Sequence, residues 1–182
     1  MQLLKKIDQS FIFYLIKFIG VFCLVFYGTK AVIGITAPGG YYIQWIDDYI
    51  NYPAWLRKSI LQASKLLVEI IGYDCQIPDG YKIKFVDGRG VKMVYSCLGY
   101  GIMSFWIAFV FANTLHWKKL LQWLLIGLLA IWLLNVIRVS LLLIATNKGW
   151  QIPFNIEHHT LFNVLAYLLV FLMMYVYDRR SN

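Results

Sequence analysis

Four apolar runs organise the chain, and each has about the length of a membrane-spanning helix. They cover residues 11–35, 97–115, 120–146 and 157–177. Because a helix rises ~1.5 Å per residue, about 20 apolar residues cross a hydrocarbon core roughly 30 Å thick. Lys17 and Lys30 interrupt the first run, so their side chains must extend toward opposite interfaces. The pattern predicts an all-α polytopic membrane protein with about four transmembrane helices, in a single membrane domain over 1–182.

The segment 36–96, between the first two runs, contains two further elements. Apolar residues recur at helical spacing within 42–72, which predicts an amphipathic helix. This helix either lies on the outer membrane interface or caps the helical bundle. Residues 81–95 alternate with a period of two on both sides of Asp87-Gly88, which predicts a β-hairpin leading directly into Ser96 and Cys97.

The composition supports a membrane protein, since 60% of the residues are hydrophobic. The net charge of +8 is concentrated in basic pairs that flank the apolar runs, namely Lys5-Lys6, Lys118-Lys119 and Arg179-Arg180. Basic residues favour the cytoplasmic side, so we expect a multi-pass protein of the inner membrane with both termini and the 116–119 connection in the cytoplasm. The segment 36–96 and the 147–155 turn then lie outside. A charge placed in this way argues for contact with membrane lipid and against nucleic-acid binding.

Three reactive side chains are expected at one depth of the membrane. A polar or charged residue lies 19 positions from Cys97 (His116), from Arg138 (Lys119) and from His159 (Asp178). Nineteen helical steps cover roughly 28 Å, close to the thickness of the hydrocarbon core. The thiol, the guanidinium and the imidazole are therefore predicted to lie in one plane at the outer face.

Cys97 is the candidate nucleophile. Ser96 is predicted to cap the second membrane helix, which makes Cys97 its first residue, where the helix dipole favours a thiolate. Gly99 leaves room for another backbone to approach. The alternatives are a buried structural cysteine or a disulfide with Cys75.

Arg138 lies in a membrane run, where an ionisable side chain is a functional candidate by default. Asn135, one turn earlier, is predicted to orient the guanidinium. The alternative is an interfacial arginine that fixes the depth of its helix.

His159 shares a helix face with Asn163 and Tyr167, a polar stripe that we expect to point into the bundle. His158 lies on the neighbouring, apolar face and is the second histidine candidate. The alternative for either is an ordinary residue at a helix start. Adjacent helical positions diverge, so a metal site at the pair is not expected.

A thiol nucleophile, an imidazole base and a cation for the oxyanion form a complete set for acyl transfer. This chemistry needs no metal or organic cofactor, and none is expected.

Cys97-Leu98-Gly99, Asn135-Val136-Ile137-Arg138 and His159, in this order, resemble the exosortase/archaeosortase family of membrane cysteine transpeptidases. The resemblance covers roughly 81–171. It implies that Cys97 is the nucleophile, that Arg138 stabilises the oxyanion or donates a proton, and that His159 is a base or stabilises the transition state. The implied substrates are exported proteins with a C-terminal sorting signal, made of a short motif, a transmembrane helix and a basic tail. The chain departs from the family at Leu98 and Asn163, where serine and glycine are common, and in having fewer membrane helices than many members.

The alternative function is a non-enzymatic membrane scaffold or assembly chaperone that binds export clients. A thiol oxidase is disfavoured because the three cysteines, Cys23, Cys75 and Cys97, form no CxxC pair. The sequence leaves open the sorting motif, the acceptor or simple hydrolysis, and the oligomeric state.

Overall fold

The computed structural model describes residues 9–37, 41–114, 116–150 and 158–181, and at 158–161 and 181 it describes the backbone alone. Helices make up most of it: α1 Gln9–Thr36, α2 Gln44–Ile50, α3 Tyr52–Ile70, α4 Tyr100–Asn113, α5 Trp117–Lys148 and α6 His158–Ser181. The strands are β1 Cys75–Gln76, β2 Lys82–Phe85 and β3 Gly90–Lys92, and a 3₁₀ turn covers Tyr95–Leu98.

Among the described residues, three helices are long and apolar enough to cross a membrane: α1, α5 and the Phe162–Arg180 part of α6. Three of the four predicted runs thus form helices that could cross a membrane. The second predicted run, 97–115, gives the 14-residue α4, which is only ~21 Å long. A helix of this length does not by itself cross a full hydrocarbon core.

Neighbouring helices of the bundle pack antiparallel through aromatic contacts. Phe18 and Phe26 of α1 meet Phe105 and Tyr100 of α4, with ring centroids 5.3 and 5.4 Å apart. Between α4 and α5, Trp106 Nε1 donates to the carbonyl of Trp123 at 3.0 Å.

The antiparallel packing divides the bundle into two ends. Between α5 and α6, Tyr177 packs on Trp123, and Phe162 lies under Arg138. The start of α1, the 114–116 connection and the end of α6 therefore lie at one end, which we call the terminal end. The opposite, site end carries α2, α3 and the sheet.

The predicted amphipathic helix is two helices separated by Asn51, whose side chain caps α3 by accepting a hydrogen bond from the Ala54 amide at 3.0 Å. Helix α3 packs against α5, since Ser64 Oγ donates to the carbonyl of Val136 at 3.2 Å and Ile60 is fully buried. This packing agrees with the capping alternative, and the position of α3 relative to the membrane interface stays a prediction. Helix α2 instead exposes Trp45.

The predicted hairpin is confirmed, with Lys82 opposite Lys92 and Ile83 opposite Val91. Strand β1, which the sequence did not predict, adds to the other edge of β2. The hairpin loop is held by Asn147 of α5, whose Oδ1 accepts from the Arg89 amide at 2.7 Å and whose Nδ2 donates to the Arg89 carbonyl at 3.0 Å. The sheet therefore stands beside the last turns of α5. The predicted 147–155 turn lies outside the described residues beyond Trp150.

Candidate functional site

Cys97 lies in the 3₁₀ turn before α4 and not in the first turn of that helix. The prediction that Ser96 caps a helix starting at Cys97 is wrong, because the helix begins at Tyr100 and its N-cap is Gly99. Gly99 adopts a left-handed conformation, with φ 73° and ψ 19°, which favours a residue without a Cβ. This reversal separates the turn from α4, so the dipole of α4 does not begin at the thiol.

Arg138 is the cationic neighbour of the thiol. Its Nη2 donates to Cys97 Sγ at 4.0 Å, and its Cζ lies 5.7 Å from the centre of the Phe162 ring. The Arg138 side chain is partly buried. Through these two contacts it links the 3₁₀ turn and α6 to α5. Two of the three predicted catalytic side chains are brought together although 40 residues separate them in the chain.

Asn135 positions the turn that carries the thiol. Its Nδ2 donates to the carbonyl of Leu98 at 3.1 Å and to the carbonyl of Ile131 at 3.2 Å. A Cβ on Gly99 would lie 3.0 Å from the same nitrogen. Asn135 thus contacts the segment between Cys97 and α4, and its predicted role in orienting the guanidinium stays a prediction.

A cavity of about 230 Å³ lies beside this contact, among α1, α4, α5 and α6. Four predicted site residues line it: Gly99, Asn135, Arg138 and Asn163. A more apolar cavity of about 330 Å³ follows toward the terminal end and shares Gly101, Ile102 and Tyr167 with the first. The two cavities therefore lie next to each other along the bundle, with Arg138 in the lining of the first.

Cys97 faces a separate, small cavity of about 30 Å³. Arg138 lines both this cavity and the cavity of about 230 Å³. Its side chain therefore lies between the thiol and the 230 Å³ cavity. Lys92 lines the small cavity too, and sequence reasoning did not select it. The hairpin pattern held a signal for it, because β3 ends five residues before the cysteine.

Helix α6 begins at His158, but the side chains of His158 and His159 lie outside the described residues. The predicted histidine role therefore stays a prediction. Further along α6, Asn163 and Tyr167 line the cavity of about 230 Å³, but their side chains are exposed. The buried face of α6 contains Phe162 and Ala166 instead. The polar stripe thus faces the cavity and not the packed interior.

The three cysteines are free thiols, so Cys75 and Cys97 do not form the alternative disulfide. Cys75 is only 4% exposed, and burial raises the pKa of its thiol, with a smaller contribution from Glu69. Cys97 is half-buried. Within the described ranges, no three His, Cys, Asp or Glu side chains come together as ligands for a metal ion.

No family model matches this chain, and no curated protein or solved structure matches it.

Proposed function

We propose that this protein is a membrane cysteine protease or transpeptidase of the exosortase/archaeosortase type. It would cleave the C-terminal sorting signal of exported proteins through an acyl-thioester on Cys97. The observation that supports this most directly is the contact of Arg138 Nη2 with Cys97 Sγ at 4.0 Å, at the edge of a cavity whose lining includes the polar side chains of Asn135 and Asn163.

In the proposed reaction, the Cys97 thiolate attacks the carbonyl carbon of the scissile peptide bond. The negative charge moves to the carbonyl oxygen, where Arg138 stabilises it by a charge-assisted hydrogen bond. When the intermediate collapses, the C–N bond breaks and the departing amine takes a proton, a step proposed for His159. Water, or an acceptor amine or hydroxyl, then attacks the thioester and regenerates the thiol.

The arrangement of cavities supports a substrate that is itself partly in the membrane. The apolar cavity of about 330 Å³ is lined by Phe22, Phe105 and Phe171, which suits the transmembrane part of a sorting signal. The polar cavity next to it contains Asn135 and Arg138 and suits the peptide that precedes this part.

Orientation is part of the proposal. Lys118, Lys119, Arg179 and Arg180 lie at the terminal end of the bundle, and basic residues favour the cytoplasmic side. Both termini would then be cytoplasmic, and the site would face outside the inner membrane.

The test is the fate of Cys97 in membranes that contain candidate exported substrates. Mass spectrometry should find an acyl adduct on the Cys97 peptide in wild-type protein, and Arg138→Ala should reduce it. Cys97→Ala should abolish processing and Cys97→Ser should lose most of it, whereas Cys23→Ala, at a half-buried thiol of α1, serves as the matched control. Processing at the wild-type rate in Cys97→Ala or Arg138→Ala would refute the proposal and leave the non-enzymatic scaffold.

A further inference from the structure

The outward face of the hairpin carries a row of lysines. Lys82 and Lys92 are direct partners in the register of β2 and β3, and Lys84 follows two residues along β2 on the same face. Ile83 and Met93, which alternate with them, are 0% and 2% exposed and face the core. We call Lys82, Lys84 and Lys92 the lysine face.

The positive charges of this face are close together, and no carboxylate of the described residues forms an ion pair with them. Like charges directly opposite each other destabilise a pair of strands. In the described part of the chain the ion pair that forms joins Lys65 to Glu69 on α3 and includes none of these three lysines. A Cβ added to Gly90 would lie 2.6 Å from Lys84 Cβ and 2.9 Å from Lys82 Cε, so both side chains pass over this glycine. The charge therefore favours an anion from outside the chain.

Arg57 of α3 adds a cation at the edge of the lysine face. Its Cζ lies 4.6 Å from the centre of the Tyr95 ring and 5.7 Å from that of Tyr81. Lys92 Nζ approaches the same Tyr81 ring at 5.5 Å. Arg57 Nε is buried and has no hydrogen-bond partner among the described residues. The Arg57 guanidinium therefore adds a positive charge near Lys92, since both contact the Tyr81 ring.

The depth of the lysine face matches the headgroup layer of a bilayer. Trp117, at the start of α5, is 71% exposed and marks the interface at the terminal end. Arg138 and Leu142 lie ~32 and ~38 Å from it along the helix, and Lys92 lines one cavity with both. A hydrocarbon core of roughly 30 Å, with headgroups that bring the total to about 40–45 Å, puts these depths among the outer headgroups.

We propose that the lysine face, with Arg57 at its edge, binds the phosphate groups of anionic phospholipids in the outer leaflet. The depth selects a lipid phosphate as the occupant, since lipid phosphates are fixed at this level. The inference does not depend on the proposed peptidase activity, because it uses neither the thiol nor a peptide substrate. It concerns a lipid that holds the sheet at the membrane surface, next to Cys97 and Arg138.

The test measures lipid binding to the full-length protein purified in detergent. Water-soluble dioctanoyl phosphatidylglycerol is titrated, and bound lipid is counted by native mass spectrometry. Three compounds serve for comparison. Dioctanoyl phosphatidylcholine has a phosphate but no net charge, dioctanoylglycerol has no phosphate, and inorganic phosphate has no lipid chains. The variants are Lys82→Gln/Lys84→Gln/Lys92→Gln together, Arg57→Gln, and Lys65→Gln as the matched control, since Lys65 already pairs with Glu69.

Phosphatidylglycerol is expected to bind more tightly than the other three compounds. Each lysine near an anionic surface contributes about fivefold in affinity, so the triple variant should bind roughly 100-fold more weakly. Arg57→Gln should weaken binding as well, and Lys65→Gln should not change it. Removing three like charges relieves repulsion, so the triple variant should unfold at a temperature no lower than wild type, which separates lost binding from lost folding.

Three results would overturn the inference. The first is equal binding of phosphatidylglycerol and dioctanoylglycerol, which would show apolar binding alone. The second is wild-type affinity in the triple variant. The third is competition by inorganic phosphate at the concentration at which the lipid binds, which would assign the site to a soluble anion.

Discussion

Gly99 separates the turn that carries Cys97 from helix α4, and its replacement by alanine tests how the thiol is held beside Arg138. The residue has φ 73°, in the left-handed region. Asn135 Nδ2 would lie 3.0 Å from an added Cβ, tighter than an ordinary van der Waals contact. Gly99→Ala therefore introduces both a backbone penalty and a contact with the side chain that holds the turn.

The expected magnitude follows from these two effects. The left-handed conformation costs an L-residue with a Cβ about 1–2 kcal/mol. Displacement of Asn135 would weaken its hydrogen bond to the Leu98 carbonyl, which contributes about 1 kcal/mol. Gly99→Ala should therefore lower the free energy of unfolding by about 2–3 kcal/mol.

Gly101 provides a matched control two residues away. It is helical, and its added Cβ would lie 3.6 Å from Phe26, an ordinary contact. Gly101→Ala should raise stability by no more than about 1 kcal/mol, because alanine has the higher helix propensity.

The assay is unfolding of the purified protein in mixed micelles with increasing denaturing detergent, together with the rate of maleimide labelling at Cys97. Gly99→Ala should shift the unfolding midpoint downward and change the labelling rate, and Gly101→Ala should do neither. If the two variants unfold at the same midpoint, the left-handed N-cap is not the feature that fixes the turn.

Three further predictions concern the core and the thiols. Gly127→Ala should lower the free energy of unfolding by about 1–3 kcal/mol, because its Cβ would collide with the Trp106 indole; wild-type stability would show that the indole is not seated there. Maleimide should label Cys97 faster than Cys75, since burial protects Cys75 and raises its pKa; peptide mapping after a short pulse checks the order, and equal rates would contradict it. The raised pKa of Cys75 adds stability that is fully present below the ordinary thiol pKa and is lost as the pH rises toward the raised value. Cys75→Ala should therefore reduce the loss of stability at alkaline pH, measured by unfolding scans over a pH series. An unchanged pH profile would contradict this prediction.

Much of the fold followed from local pattern. Long and mainly apolar runs predicted α1, α5 and α6, because a helix satisfies its own backbone hydrogen bonds within a single segment. The alternation around Asp87-Gly88 specified the hairpin in the same way, since a period of two buries one face. Cys97 and Arg138 were selected because a thiol and a guanidinium stood out at the ends of such runs.

The tertiary structure decided the features that depend on distant contacts. Gly99 changes the direction of the chain through its left-handed conformation. Next to it, Asn135 Nδ2 donates a hydrogen bond to the carbonyl of Leu98, which lies 37 positions earlier in the chain. Strand β1 pairs with the free edge of β2, and Lys92 lines the same small cavity as Cys97 because the hairpin stands against α5. The periodicity of a segment shows which of its faces is apolar, but it does not show which other element that face packs against. The helices and the reactive residue types were therefore determined by sequence, whereas the short α4 and the pairing of Cys97 with Arg138 arose only when separate elements packed together.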